Sequence, residues 1–167
     1  NYPWPVEPFF QNHYVSGTFC EYRSTSASGH FHNGTDIPKP DGSPVYAVRD
    51  GVVTWIDPNT SSAYVRVQDK AFVHIVPNPS LSVGDSVFAS QTILGTIYPG
   101  QGHVHFTNGY VGSEVNSMLT SNSFTPLTDT WSPIIRYVSF YQNNTSNEFP
   151  TNDLSGLVDI MVKVDEQ

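Results

Sequence analysis

His32-Asn33-Gly34-Thr35-Asp36 sets an imidazole and a carboxylate four residues apart, and His103-Val104-His105 sets two imidazoles two residues apart. Imidazole nitrogen and carboxylate oxygen are favoured ligands of a divalent transition metal, and two His plus one Asp leaves a fourth zinc position open for water. Gly34 and Pro38 disfavour a helix, so the first cluster reads as a loop running into a strand. In an extended segment i and i+4 share a face, so His32 and Asp36 can converge on one ion. Residues i and i+2 of a strand also point the same way, which aligns His103 with His105. His74 lies between the clusters, on an apolar run where it shares a face with Phe72 and Val76.

Taken singly, each pattern has a plainer reading. A lone His74 on an apolar strand suits a hydrogen-bonded core residue. His13, amid Gln11, Asn12 and Tyr14, suits the surface, and His30 suits a cleft wall or a structural place. Cys20 with His30 and His32 makes a rival zinc set. The absence of His-Glu-x-x-His excludes a helical zincin, and no Gly-x-Ser-x-Gly elbow supports a serine hydrolase.

The elements that must position these groups are strands. Thirteen prolines and twelve glycines, spread throughout, rule out long helices. Pro44 to Val48 and Val52 to Ile56 read as two strands around a tight turn at Asp50-Gly51. Tyr64 to Gln68 and Ala71 to Val76 read as a hairpin across Asp69-Lys70. Val83 to Val87, Thr92 to Ile97 and His103 to Phe106 complete an antiparallel β-sheet domain over residues 30 to 110. Residues 1 to 15, with Pro3, Trp4 and Pro5, read as an arm packed on the sheet. Met118 to Thr130 reads as a linker or wrapping loop, and Ile134 to Tyr141 and Leu157 to Val164 as two further strands.

Composition narrows the partners. With 38% hydrophobic residues the 167-residue chain can fill a core, and no apolar run is long enough to span a bilayer. Seven Lys and Arg against fifteen Asp and Glu give a net charge of -8, so no basic footprint for nucleic acid exists. Charged residues are only 13%, a sparse surface charge more typical of secreted proteins. One cysteine, Cys20, allows neither an intrachain disulfide nor a zinc site built from several cysteines. The chain opens at Asn1 without a signal-peptide pattern and reads as a segment of a processed protein. Asp153, Asp159, Asp165 and Glu166 read as a solvated acidic edge rather than a calcium site.

Four blocks, in order, resemble the M23 peptidases, the LytM- or lysostaphin-like zinc endopeptidases that cut peptidoglycan peptides. Ser16-Gly17-Thr18-Phe19-Cys20-Glu21-Tyr22-Arg23 resembles the family's opening segment, with Cys20 in place of the usual glycine. His32-Asn33-Gly34-Thr35-Asp36-Ile37 resembles its first metal motif, followed by Gly42 to Ala47 and Asp50 to Val53. Phe72-Val73-His74 stands where the family has Tyr-Ala-His, and leads into Leu81 to Val87 and Gln91 to Gly95. Gly102-His103-Val104-His105-Phe106 stands where it has Pro-His-Leu-His-Phe. The resemblance runs from about Ser16 to Asn116.

The resemblance implies an all-β, antiparallel LytM/lysostaphin-like (glucose-permease-type) barrel-sandwich core, here with extra C-terminal strands. It assigns zinc to His32, Asp36 and His105, and the catalytic pair to His74 and His103. The implied activity is zinc metalloendopeptidase cleavage of peptidoglycan, at a cross-bridge or stem peptide, by a secreted, periplasmic or cell-surface bacterial protein. Residues 1–118 would be the peptidase domain (core about 16–116), and 119–167 a linker plus β extension that starts a further β-module. The chain is expected as a monomer or as part of a larger multidomain protein. The Ser24 to Ser28 loop, the Pro77 to Pro79 turn and Pro99 to Gly102 are the expected groove walls, with Tyr46, Tyr98 and Tyr110 as candidate lining. The rival readings are a non-catalytic regulator of the same fold, a protein-processing metallopeptidase, and a β-rich adhesion or carbohydrate-binding module.

Overall fold

The computed structural model describes residues 1–23, 29–119, 121, 123–130, 132–150 and 153–165. Among them every regular element is a strand, in antiparallel sheets, as expected of an all-β chain so rich in proline and glycine. They fall into two compact units, Asn1–Thr128 and Asp129–Gln167.

The first unit holds two main sheets. The larger has the order β3-β11-β7-β6-β5-β9, built from β3 (Thr35–Pro38), β5 (Gly51–Asp57), β6 (Tyr64–Val67), β7 (Lys70–Val73), β9 (Ser86–Val87) and β11 (His103–Asn108). The smaller has the order β4-β10-β8, from β4 (Pro44–Tyr46), β8 (Ile75–Pro77) and β10 (Ile93–Ile97). A short pair, β1 (Tyr22–Arg23) and β2 (His30–Phe31), precedes them. Alternation decides which face goes inward. In Tyr64-Val65-Arg66-Val67 the two valines are fully buried and the Tyr and Arg turn to the other face. Val45, Ile75, Leu94 and Ile97 of the small sheet and Ile37, Val65, Phe72, Val104 and Phe106 of the large one join a single hydrophobic cluster. Trp4 from the N-terminal arm and Phe124 from the stretch after Met118 close it, stacked with ring centroids 4.6 Å apart.

Two local expectations differ from what forms. The strands flanking Asp50-Gly51 do not pair with each other: β4 pairs with β10, whereas β5 pairs with β6 and β9. Ala47 and Val48 between them are both buried, so the chain passes through the core from one sheet to the other instead of turning back. The run Ala71 to Val76 is likewise two strands, not one. His74 has φ +62° and forms the corner at which the chain leaves β11's neighbour β7 and becomes β8 beside β10. His74 therefore shares no strand face with Phe72 and Val76; it projects from the corner.

The second unit is an antiparallel ribbon of β12 (Ile134–Gln142) and β13 (Val158–Asp165). Asp159 and Asp165, two of the four residues read as a solvated acidic edge, make contacts within the ribbon, and Glu166 lies outside the described residues. Asp165 Oδ2 accepts from Arg136 Nε at 2.6 Å, and Asp159 accepts from the Asn143 side chain and the Asn144 backbone N–H.

Candidate metal centre and its flanking histidines

Pairing β3 against β11 sets Asp36 directly opposite His105, because antiparallel register brings cross-strand partners onto one face. His32 reaches the same point from the loop after β2. That loop can lie close only because residue 34 is glycine: a Cβ there would fall 2.6 Å from both His105 Nε2 and the Phe106 carbonyl oxygen. The spacing His-x-Gly-x-Asp thus has a steric basis as well as a chemical one.

Three ligand atoms converge. His32 Nε2 lies 3.1 Å from Asp36 Oδ1 and 2.9 Å from His105 Nδ1, and His105 Nδ1 lies 3.0 Å from the same Oδ1. His32 Nδ1 donates to the Thr18 carbonyl at 2.8 Å, so its proton is on Nδ1 and Nε2 presents a lone pair to the cluster. His105 Nε2 sits 3.0 Å from Thr107 Oγ1, and the tautomer that donates to this hydroxyl leaves Nδ1 bare for a metal. With both facing nitrogens bare, three electron-pair donors at about 3 Å repel unless a cation lies among them. A tetrahedral zinc with bonds of about 2.0–2.1 Å sets its ligand atoms about 3.3 Å apart, close to the separations seen. The residues present fit a metal ion, and all three are buried.

Electrostatics agree with that assignment. Burial pushes the Asp36 carboxyl up, but in the metal-free protein hydrogen bonds from His105 and His32, when their facing nitrogens carry a proton, and from Arg23 outweigh it and hold the group well below the usual carboxylate range. Burial pushes the His105 imidazole below its ordinary value, against the pull of Asp36. Both groups are thereby kept in the metal-binding protonation state.

His74 and His103 flank the cluster. Their rings are 5.0 Å apart, and His74 is 6.0 Å from the His105 ring. His74 Nδ1 donates to the Ser61 carbonyl and His103 Nδ1 to the Gln101 carbonyl, each at 2.6 Å. Both Nε2 atoms are thus free to take a proton, and His103 Nε2 lies 3.7 Å from Asp36 Oδ1. Burial lowers the His74 pKa from its ordinary value, while the Ser61 carbonyl raises it and His103 lowers it further.

The five residues singled out in the sequence are therefore gathered at one place. The rival set is not: Cys20 and His30 are exposed, and among the described residues the metal-compatible group is His32, Asp36 and His105. His13 contacts the Pro8 carbonyl and packs against Trp4. An open cleft of about 330 Å³ adjoins the cluster, lined by Asn33, Tyr64, Arg66, His74, Thr107 and Glu114 among others. Its tyrosine is Tyr64, not the expected Tyr46, whose hydroxyl donates to Glu7, nor Tyr98, nor Tyr110, which lies under Arg66. The Ser24 to Ser28 wall lies outside the described residues. Thr107 and Arg23 were missed as site residues, although Thr107 follows His105 by two on one strand and so shares its face.

The sequence profile of Peptidase family M23 matches residues 30–117, more than half of the chain, and the chain belongs to that family. Membership supports a peptidase role. The fold is similar to that of a zinc-containing peptidase from Vibrio cholerae (22% identity, 70% of this chain and 39% of that one, TM-score 0.55). It is similar also to the SpoIIQ–SpoIIIAH pore-forming complex (19% identity, 75% and 92%, TM-score 0.58). A third similar structure is the antimicrobial peptidase lysostaphin from Staphylococcus simulans (17% identity, 96% and 81%, TM-score 0.54). This chain spans only 39% of the Vibrio protein's length. No curated protein matches it by sequence. No helix among the described residues is long and apolar enough to cross a membrane.

Proposed function

We propose that the protein is a zinc metalloendopeptidase that hydrolyses peptide bonds of peptidoglycan, in a cross-bridge or stem peptide, outside the cytoplasm. The observation that carries this reading is the meeting of three lone-pair atoms of His32, Asp36 and His105 within about 3 Å of one another, with two further imidazoles beside them. A zinc ion held by those three residues supplies Lewis acidity that makes water nucleophilic near neutral pH and polarises a carbonyl. The protein's own groups do the rest. His74 and His103, each with Nδ1–H fixed on a backbone carbonyl, present Nε2 to accept a proton from the attacking water and to return one to the leaving amine. The protonated form of either also stabilises a developing oxyanion. The open cleft past His74 and Thr107 suits an extended peptide chain.

Metal analysis and turnover test this together. Wild type purified without chelator should carry one zinc per chain and release peptides from purified peptidoglycan, with activity lost to a chelator and restored by zinc. Metal-replete protein with no turnover on peptidoglycan or on a glycine-bridge peptide would overturn the enzymatic reading.

A further inference from the structure

Asp36 has two carboxylate oxygens, and only Oδ1 faces the imidazoles. Oδ2 accepts from Arg23 Nη2 at 2.7 Å, an ion pair in which the aspartate side chain is buried and the arginine is 27% exposed. Arg23 also has Glu21 Oε2 at 3.6 Å, so its charge is shared between a buried and a solvent-facing carboxylate. The approach depends on the segment that precedes it. A Cβ on Gly17 would stand 2.2 Å from Arg23 Nη2 and 2.5 Å from Asp36 Oδ2, and so would occupy the space where the pair meets. The same segment is bonded to the site's backbone: the Asp36 N–H donates to the Gly17 carbonyl at 2.9 Å and the Ser16 N–H to the Asp36 carbonyl at 3.0 Å. One residue on, Thr18 fixes the His32 tautomer.

We infer that Arg23, admitted by the bare Gly17, is a positioning residue that makes Asp36 a one-oxygen ligand and so sets the affinity of the site for zinc. The physical case has two opposing parts. The guanidinium charge repels a divalent cation, which taken alone weakens binding. Against that, a carboxylate with Oδ2 tied down cannot rotate to chelate through both oxygens, nor swing out to water, and its Oδ1 is pre-aimed at the two imidazole lone pairs. Outer partners of metal ligands usually strengthen binding, by about 10–100-fold, so positioning is expected to win. A single-oxygen carboxylate also suits a small four-coordinate ion rather than a larger one that takes bidentate carboxylates.

The inference rests on the zinc reading above, and one titration separates the two. Zinc affinity is measured by competition with a chromophoric chelator for wild type, Arg23→Met, Asp36→Asn and the double variant, with circular dichroism of each metal-free protein. Arg23→Met should bind zinc about 10–100-fold more weakly. On the Asp36→Asn background the same change should alter affinity by no more than about twofold, because the effect is routed through Asp36. If Arg23→Met does not fold, Gly17→Ala carries the test, since its methyl separates the pair while leaving both partners in place, and the same loss is expected. Wild-type affinity in a folded Arg23→Met, or equal losses on both backgrounds, would overturn the inference alone. Wild type that takes up no zinc would remove the reading of the site and the inference with it.

Discussion

At the scale of single residues, the proposed function separates metal holding from proton handling. His105 faces the cluster through Nδ1, whereas His103, two residues earlier on β11, offers Nε2 beside it. His105→Ala should lose bound zinc, and His103→Ala should keep it while turnover falls by at least about 100-fold, the usual contribution of a general acid or base. Elemental analysis paired with peptide hydrolysis reads both, and a His103→Ala enzyme with wild-type rate would show that His103 moves no proton. Protonation equilibria give a second expectation for the metal-free protein. His74 and His105 have folded-state pKa values below the ordinary 6.5, so below that pH the unfolded chain binds more protons and stability falls as pH drops. Asp36, depressed from 3.8, adds a further loss in more acid solution, in the same direction. Urea midpoints should therefore decline from neutral pH downward through these two windows. A midpoint that rises between pH 7 and 5, on the scale of these ordinary values, would contradict the burial of these imidazoles.

At the scale of elements, what matters is how closely neighbouring segments approach. The loop carrying His32 crosses over β11 at Gly34, where a Cβ would meet His105 Nε2 and the Phe106 carbonyl at 2.6 Å. Backbone cannot yield as a flexible side chain can, so Gly34→Ala should cost about 1–3 kcal/mol by overpacking and displace His105 from its partners. Denaturant unfolding and zinc content check this, and a variant with unchanged stability and metal would mean the loop has room to move. The corner at His74 belongs to the same scale. Its left-handed backbone carries the chain from one sheet to the other, and the Tyr98 N–H donates to the His74 carbonyl to pin it. A histidine that reads as part of a continuous strand is thus turned out of the core and towards the cluster. Local alternation gave no sign of that break, because Phe72, Ile75 and Val76 form one apolar run whether or not a corner interrupts it.

At the scale of the whole molecule, the first unit is closed by residues distant in sequence. Trp4 is fully buried, stacks on Phe124 and donates Nε1–H to the Pro126 carbonyl at 2.8 Å. Trp4→Ala should destabilise this unit by about 3–5 kcal/mol, through lost burial and the cavity left behind, as read by urea unfolding. A loss below about 1 kcal/mol would mean that the N-terminal arm is not part of the core. Phe124 lies in a Ser- and Thr-rich stretch with no periodicity, so nothing local announces that its ring fills the cluster. The sequence by itself determined the β class, through proline and glycine frequency and two-residue alternation, and it singled out, through residue type and spacing, the five side chains that the fold brings together. Those are short-range properties, set by backbone sterics and ligand chemistry within a few residues. Only the tertiary structure decided that Asp36 stands across from His105, that the strands either side of Asp50-Gly51 part company, and that Arg23 takes the second oxygen of Asp36. Each of these joins segments whose pairing is fixed by register and by burial of a shared core, and neither quantity is written in any one stretch of chain.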